Sequence, residues 1–235
     1  MGGYGAKYLS ESLNRLASQD FQDFEVIVSD QSKDDAVQAV CAEIQGITVH
    51  HVWFRDGPKQ ASANTNNAMR HAKGEILKIL FQDDLINSPD ALQKTYDAFS
   101  GNDRAWLVCG SAVTRDGQTV ERPMVPRLHP QIQFGKNTIS SPSVLAFRAS
   151  AKLEFDEDLI WLMDVDIYKR FAMKYGAPCV LPETLILNRL HMGQVSATVS
   201  PELRRRELKT VRSKFKAHES FRDKLAFYRQ ILKAR

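Results

Sequence analysis

Apolar residues recur at helical spacing near the start of the chain, where Leu9, Leu13 and Leu16 share one face and predict a helix over 8–16. The period then changes. Phe24–Ser29 is a short β-branched run that stops at the polar cluster Asp30-Gln-Ser-Lys-Asp-Asp, and helical spacing returns over 36–44. A strand over 47–54, a helix over 61–72 and a strand over 75–81 repeat the alternation, the last ending at Gln82-Asp83-Asp84. Ser88-Pro-Asp has the residues of a helix start, with Ser88 as N-cap and Pro89 at the first helical position, and predicts a helix to Phe99. The runs 105–113 and 119–125 flank Arg115-Asp-Gly-Gln, a hairpin signature that departs from purely parallel alternation. Further on, 143–147 reads as a strand and 164–175 as a helix with Ile167, Phe171 and Tyr175 on one face. The stretch to about residue 200 reads as loop apart from a strand near 179–181. Two amphipathic stripes close the chain, Leu208, Val211 and Phe215, then Phe221, Leu225, Tyr228 and Leu232, and predict two helices packing their apolar faces on the body.

This alternation over 235 residues, 43% of them hydrophobic and 26% charged, indicates one α/β domain with a sizeable core and excludes disordered, collagen-like and disulfide-stapled classes. No run approaches the roughly 18–20 apolar residues of a spanning helix, and the N-terminus lacks the apolar core of a signal peptide, which points to a cytoplasmic chain. Cys41, Cys109 and Cys179 stand far apart and outside any metal spacing, so they read as buried thiols. Charge alters the picture. From Pro201 to Arg235 twelve Lys/Arg face four Asp/Glu, a net +8, so the first 200 residues carry −4 of the overall +4. The chain therefore divides into a domain over 1–200 and a basic helical extension over 201–235. Such an extension suits an anionic partner, and Arg204, Arg205, Arg206, Lys209 and Arg212 would meet anionic headgroups at the inner face of a membrane. No aromatic-basic interleaving speaks for nucleic acid.

In open α/β sheets ligands bind beyond the C-terminal ends of strands, and Asp30, Asp83 and Asp84 all fall at such ends. Two adjacent carboxylates after a buried strand need solvent, a partner or a hard cation. The order of motifs resembles the family 2 glycosyltransferases of GT-A fold. Leu13–Gln19 with Phe21-Gln-Asp-Phe-Glu-Val-Ile-Val is similar to that family's first helix, Ser-Gln turn and second strand. Ser29-Asp30-Gln31-Ser32-Lys33-Asp34 resembles its Asp-Asp-Gly-Ser-Thr-Asp loop, and Thr65-Asn66 with Ala72-Lys73-Gly74-Glu75 its Arg-Asn…Ala-x-Gly-Glu pattern. Phe81-Gln82-Asp83-Asp84 stands where the family has Asp-x-Asp-Asp. Met163-Asp164 occupies the Glu-Asp position of the catalytic carboxylate, and His191-Met-Gly-Gln-Val-Ser196 resembles the late His-x-x-x-x-Ser element. The resemblance covers roughly 4–198 and implies a Rossmann-like, mixed but mostly parallel sheet flanked by helices, with the family's first strand missing or shortened.

What the resemblance implies is transfer of a sugar from a nucleoside diphosphate donor, UDP or dTDP by preference, to a hydroxyl of a glycan or lipid-linked acceptor with inversion, in surface polysaccharide synthesis. Asp30 and Ser32 would hold the base end of the donor, Asn66 and Asp83 would contact the donor further along, and Asp84 with His191 would bind Mg²⁺ or Mn²⁺. Asp164 would be the general base, with Asp166 as its alternative. Lys59 and Gln60 would reach the base or phosphates, Trp161 would form an acceptor wall, and Tyr4 would stack on the base in place of the missing loop. Two other readings stand beside it. Gly2-Gly3-Tyr4-Gly5 imitates the opening loop of sugar-1-phosphate nucleotidyltransferases without its Arg, and the replacements at Ser29, Phe81 and Met163 allow a nucleotide-sugar-binding scaffold without turnover.

Overall fold

A computed structural model describes residues 2–191 and 199–234, with side chains from residue 5 onward. Tyr4's side chain and Ser196 lie outside the described residues. The chain opens on α1 (Gly2–Ala17), longer at its start than the periodicity predicts, which buries Leu9, Leu13 and Leu16. The parallel pair β1 (Glu25–Asp30) and β2 (Thr48–Trp53) follows, crossed by α2 (Ala36–Glu43), with Asp30 and Trp53 as register partners at the top. Helix α3 (Ala61–His71) leads to β3 (Ile76–Lys78) in a second sheet. That sheet also holds β4 (Leu85–Ile86), β5 (Trp106–Thr114), β6 (Glu121–Met124), β7 (Leu145–Arg148) and β8 (Cys179–Arg189). Its order is β3-β7-β5-β8-β4, with β6 paired to β5 beside this path.

The α/β class and the mixed sheet are as expected, with a larger share of antiparallel pairs than the resemblance implies. Among the described residues β1–β2 and β5–β8 are parallel, while β3–β7, β5–β7, β5–β6 and β4–β8 are antiparallel. The β5–β6 pair is a hairpin joined by a short turn, and a short connection forces antiparallel pairing. No hydrogen-bonded strand joins β1 to β3 among the described residues, so each has an unpaired edge.

Two local expectations change. Helix α4 (Ala91–Phe99) starts later than Ser88-Pro89 suggests: the Ser88 hydroxyl donates to Asp90 Oδ1 at 2.7 Å instead of capping the helix. Strand β8 also runs far beyond Leu181, where a loop was expected. Pro182 has no N–H to donate, and the ladder with β5 shifts register on both sides of Gly110 to pass it. A Cβ at Gly110 would sit 2.6 Å from the carbonyl oxygens of Pro182 and Glu183, so only glycine fits this approach.

Helix α5 (Met163–Tyr175) packs Phe171 between Trp106 and Phe147, with ring centroids 5.3 and 5.2 Å away. The C-terminal segment shares this core: α6 (Pro201–Phe215), started by a Ser200 side-chain cap, buries Leu208, Val211 and Phe215 in it. Three of the five cations expected to meet headgroups are instead engaged within the protein. Arg204 lies over the Trp161 ring at 5.3 Å, Arg205 donates to the Ala234 carbonyl at 2.8 Å, and Arg212 pairs with Glu219 at 2.6 Å. Helix α7 (Phe221–Lys233), started by a Ser220–Asp223 capping box, buries Phe227 against Phe134. Its expected packing stripe faces the other way, with Phe221, Leu225, Tyr228 and Leu232 exposed.

Candidate active site

The loop after β3 and the far end of β8 meet beside α1. Buried Leu85 and Ile86 pair with Leu187 and Ile186, which fixes Asp83 and Asp84 against Asn188, Arg189 and His191. His191 Nε2 lies 2.9 Å from Asp83 Oδ2, and both side chains are about a quarter exposed. Asp84 is buried: Oδ1 accepts the Arg189 N–H at 3.2 Å, and Oδ2 lies 2.9 Å from the Ser141 hydroxyl. Burial, then the neighbouring Asp83 charge, pushes the Asp84 carboxyl up to about 7. Of the two expected metal residues, His191 thus sits on Asp83, while Asp84 is held by Ser141 and the Arg189 backbone.

Helix α1 backs this corner. The Tyr8 ring stands 5.3 Å from the His191 ring and 4.7 Å from the Arg189 guanidinium, and Glu11 pairs with Arg189 at 2.6 Å. No cluster of three or more His, Cys, Asp or Glu is gathered among the described residues. The partly open Asp83 carboxylate is the kind of hard oxygen ligand that Mn²⁺ or Mg²⁺ takes, with His191 beside it.

Asp164 stands at the start of α5, with Oδ2 accepting the Asn137 side-chain N–H at 2.6 Å and Oδ1 accepting the Val165 N–H at 2.7 Å. Burial pushes its carboxyl up to about 7, and the Glu207 charge adds to the rise. Asp166 is fully buried and paired with Arg170 and Lys214, each at 2.7 Å, whereas Asp164 is only partly buried.

A polar chain absent from any motif connects Asp164 to Asp84. Asn137 donates to the Ser140 carbonyl at 2.9 Å, and the next residue, Ser141, reaches Asp84. The Tyr168 hydroxyl donates to the carbonyls of Ser140 and Ser141. The Ser140 hydroxyl lies between Ser111 at 2.9 Å and the Asn188 side-chain N–H at 2.8 Å. Ser140 has φ +117°, a region rarely adopted without glycine, so these bonds hold a strained residue at the centre of the site. Nothing in the run Asn137-Thr-Ile-Ser-Ser-Pro-Ser143 marked it as functional in one dimension.

The expected donor residues separate into two groups. Asp30 is buried, its oxygens taken by the Ser32 N–H at 2.7 Å and His51 Nε2 at 2.9 Å, while the Ser32 hydroxyl donates to the Asp34 carbonyl. His51, which the sequence did not single out, comes from β2 and stands edge-on to Trp53. Asn66 is taken up within the protein. It is 1% exposed and clamps the Phe155 backbone, accepting its N–H at 2.7 Å and donating to its carbonyl at 2.9 Å and to Glu157 at 2.9 Å. Gln60 likewise donates to the Glu157 carbonyl, whereas Lys59 is exposed. Trp161 is half-buried against Gly135 and beneath Arg204.

The solved structure of S. aureus TarS residues 1–349 in complex with UDP-GlcNAc superposes with a TM-score of 0.70 at 21% identity, over 98% of this chain and 70% of that one. The longer S. aureus TarS structure is matched over 41% of its length. The mannosyltransferase PcManGT from Pyrobaculum calidifontis, in complex with GDP-Man and Mn²⁺, gives 0.63 at 18% identity, over 92% of this chain and 61% of that one. These likenesses identify the fold as GT-A. No curated protein matches the sequence. The family model described as "Glycosyl transferase family 2" matches residues 4–168, from α1 into the helix that carries Asp164, and the chain belongs to that family of glycosyltransferases.

Proposed function

We propose that this chain moves a sugar from a nucleoside diphosphate donor to an acceptor hydroxyl with inversion, using Asp164 as the general base. The observation that carries the reading is a half-buried carboxylate pushed up to about 7, held at 2.6 Å by Asn137 and linked through Ser140 and Ser141 to the Asp83–Asp84 corner. A base with a pKa near the working pH is deprotonated enough to act and basic enough to take a proton. The acceptor O–H gives its proton to Asp164 as its oxygen bonds the anomeric carbon. The bond from that carbon to the diphosphate breaks from the opposite face, and the nucleoside diphosphate leaves with the electron pair.

Asp83 and His191 are the residues that would hold Mg²⁺ or Mn²⁺, which when bound neutralises charge on the diphosphate. Asp84, Ser141 and the Arg189 backbone fix the orientation of that corner. The Asp30–Ser32 turn, shaped by His51, is our choice for the base end, with a uracil or thymine imide as its partner. The nucleotide sugars named in the TarS and PcManGT complexes support a donor of this class. A glycan or lipid-linked acceptor, as in surface polysaccharide assembly, is the acceptor class this reading favours.

Calorimetric titration with UDP, dTDP and GDP, with and without Mn²⁺, tests the donor site: one nucleotide should bind with metal and lose that binding in Asp83→Ala. Asp164→Asn should retain this binding and lose transfer by about 100- to 10,000-fold. Donor binding with no transfer to any glycan or lipid-linked acceptor would instead favour the scaffold reading.

A further inference from the structure

Helix α7 turns its most apolar stripe away from the protein. Phe221, Leu225, Tyr228 and Leu232 recur every three or four residues, so they form one line along the helix. They remain 74, 44, 55 and 58% exposed. The opposite face does the packing: Phe227 meets Phe134, and Asp223 accepts the Gln133 side-chain N–H at 3.1 Å. Tyr228 is met by the Arg212 guanidinium at 5.2 Å and by the Phe227 ring, but Phe221, Leu225 and Leu232 stand in water beside it, and contiguous patches of this kind mark interaction surfaces.

Charge decides the occupant. Arg222 and Arg229 flank the stripe on one side and Lys224 on the other, with Lys233 at its end, and all four are exposed. The helix's acid, Asp223, is buried on the packing face. The outward face therefore carries four apolar groups and four cations without a carboxylate. A second copy of the chain docking stripe to stripe would bring these cations together, whereas an anionic lipid surface accepts both the apolar groups and the charge. We infer that α7 lies flat in the interface of an anionic bilayer, with Phe221, Leu225, Tyr228 and Leu232 among the acyl chains and Arg222, Lys224, Arg229 and Lys233 at the phosphates. No helix among the described residues is long and apolar enough to cross the bilayer, so this contact is peripheral.

The placement has a use. Gln133 and Phe134, which α7 grips, precede Asn137, which holds Asp164, by only three or four residues. A membrane seated on α7 would therefore lie a short chain distance from the segment positioning the base.

Co-sedimentation of the full chain with vesicles of phosphatidylcholine, with and without phosphatidylglycerol, tests this at low and high salt. Pelleting is expected with phosphatidylglycerol vesicles, weakening as salt rises, and absent with phosphatidylcholine alone at high salt. It should be lost in the triple variant Phe221→Ser/Leu225→Ser/Leu232→Ser, whose circular dichroism melt should match the parent because these side chains are exposed. A wild-type chain that does not pellet with phosphatidylglycerol vesicles at low salt overturns the inference, as does pelleting that survives the triple substitution. A concentration-dependent dimer abolished by the same substitutions, without lipid binding, assigns the stripe to a second copy and overturns it too. Vesicle pelleting reads no sugar transfer, so its outcome is independent of the donor-site reading.

Discussion

Asp164 shows how neighbours tune one carboxylate in opposite directions. Asn137 donates to it and favours its charged form, while burial and the Glu207 charge disfavour that form. The acid limb of kcat against pH should therefore fall near 7, with transfer rising as Asp164 loses its proton. Asn137→Ala removes the bond that stabilises the carboxylate, so that limb should move to higher pH and kcat should fall more than KM rises; a purely structural role would leave the limb in place. The same carboxyl affects stability. Its folded value lies above its ordinary 3.8, so the folded state binds the extra proton between about pH 4 and 7 and stability is lost as pH rises through that window. Asp164→Asn removes this loss. Its Tm should exceed that of the parent at about pH 8 by roughly 2–4 °C, about 1 kcal/mol for a chain of this size, with the excess gone at about pH 4. Asp164 and the Asp83–Asp84 pair were legible because each sits in an ordered motif. Asn137, Ser140 and Ser141 were not, because their roles depend on a strained loop whose partners come from β5, β8 and α5.

At the scale of elements, most were visible in the periodicity, and the differences have local causes. Strand β8 was hidden by Pro182, which breaks the pattern without breaking the strand, since the shift at Gly110 absorbs the missing donor. Its continuation matters most for the site, because it delivers Asn188, Arg189 and His191 to Asp83 and Asp84. The strand pairs differ in support as well. β5 is paired along its length with β8 and again with β7 or β6, whereas β1 and β3 each have one unpaired edge. Amide exchange should be fastest in β1 and β3 and slowest in β5, as read by hydrogen–deuterium exchange with mass spectrometry. Equal protection across these three strands would contradict this ranking.

For the whole molecule, the basic C-terminal segment is bound into the catalytic half. Glu207 of α6 is fully buried and accepts three backbone N–H groups, from Ile160 at 2.8 Å and from Trp161 and Leu162 at 2.9 Å, immediately before the helix carrying Asp164. Lys214 of the same helix pairs with Asp156 and Asp166. Glu207→Gln places an amide where three donors converge and removes a negative charge. It should cost about 1–3 kcal/mol in a denaturation measurement and move the acid limb of kcat to lower pH, opposite to Asn137→Ala. Composition shows the +8 of this segment but not that Arg204, Arg205 and Arg212 are engaged within the protein while the flanking cations of α7 face out.

The sequence by itself determined the α/β class, the order of most elements, the family and the candidate carboxylates, because periodicity and motif spacing are properties of neighbours along the chain. Only the tertiary structure decided that His191 meets Asp83, that Asn66 clamps Phe155, that Glu207 holds the backbone just before the Asp164 helix, and which side of α7 is buried. Those outcomes depend on which distant groups share a hydrogen bond or a packing face, and a one-dimensional pattern gives a face's composition without saying what lies against it.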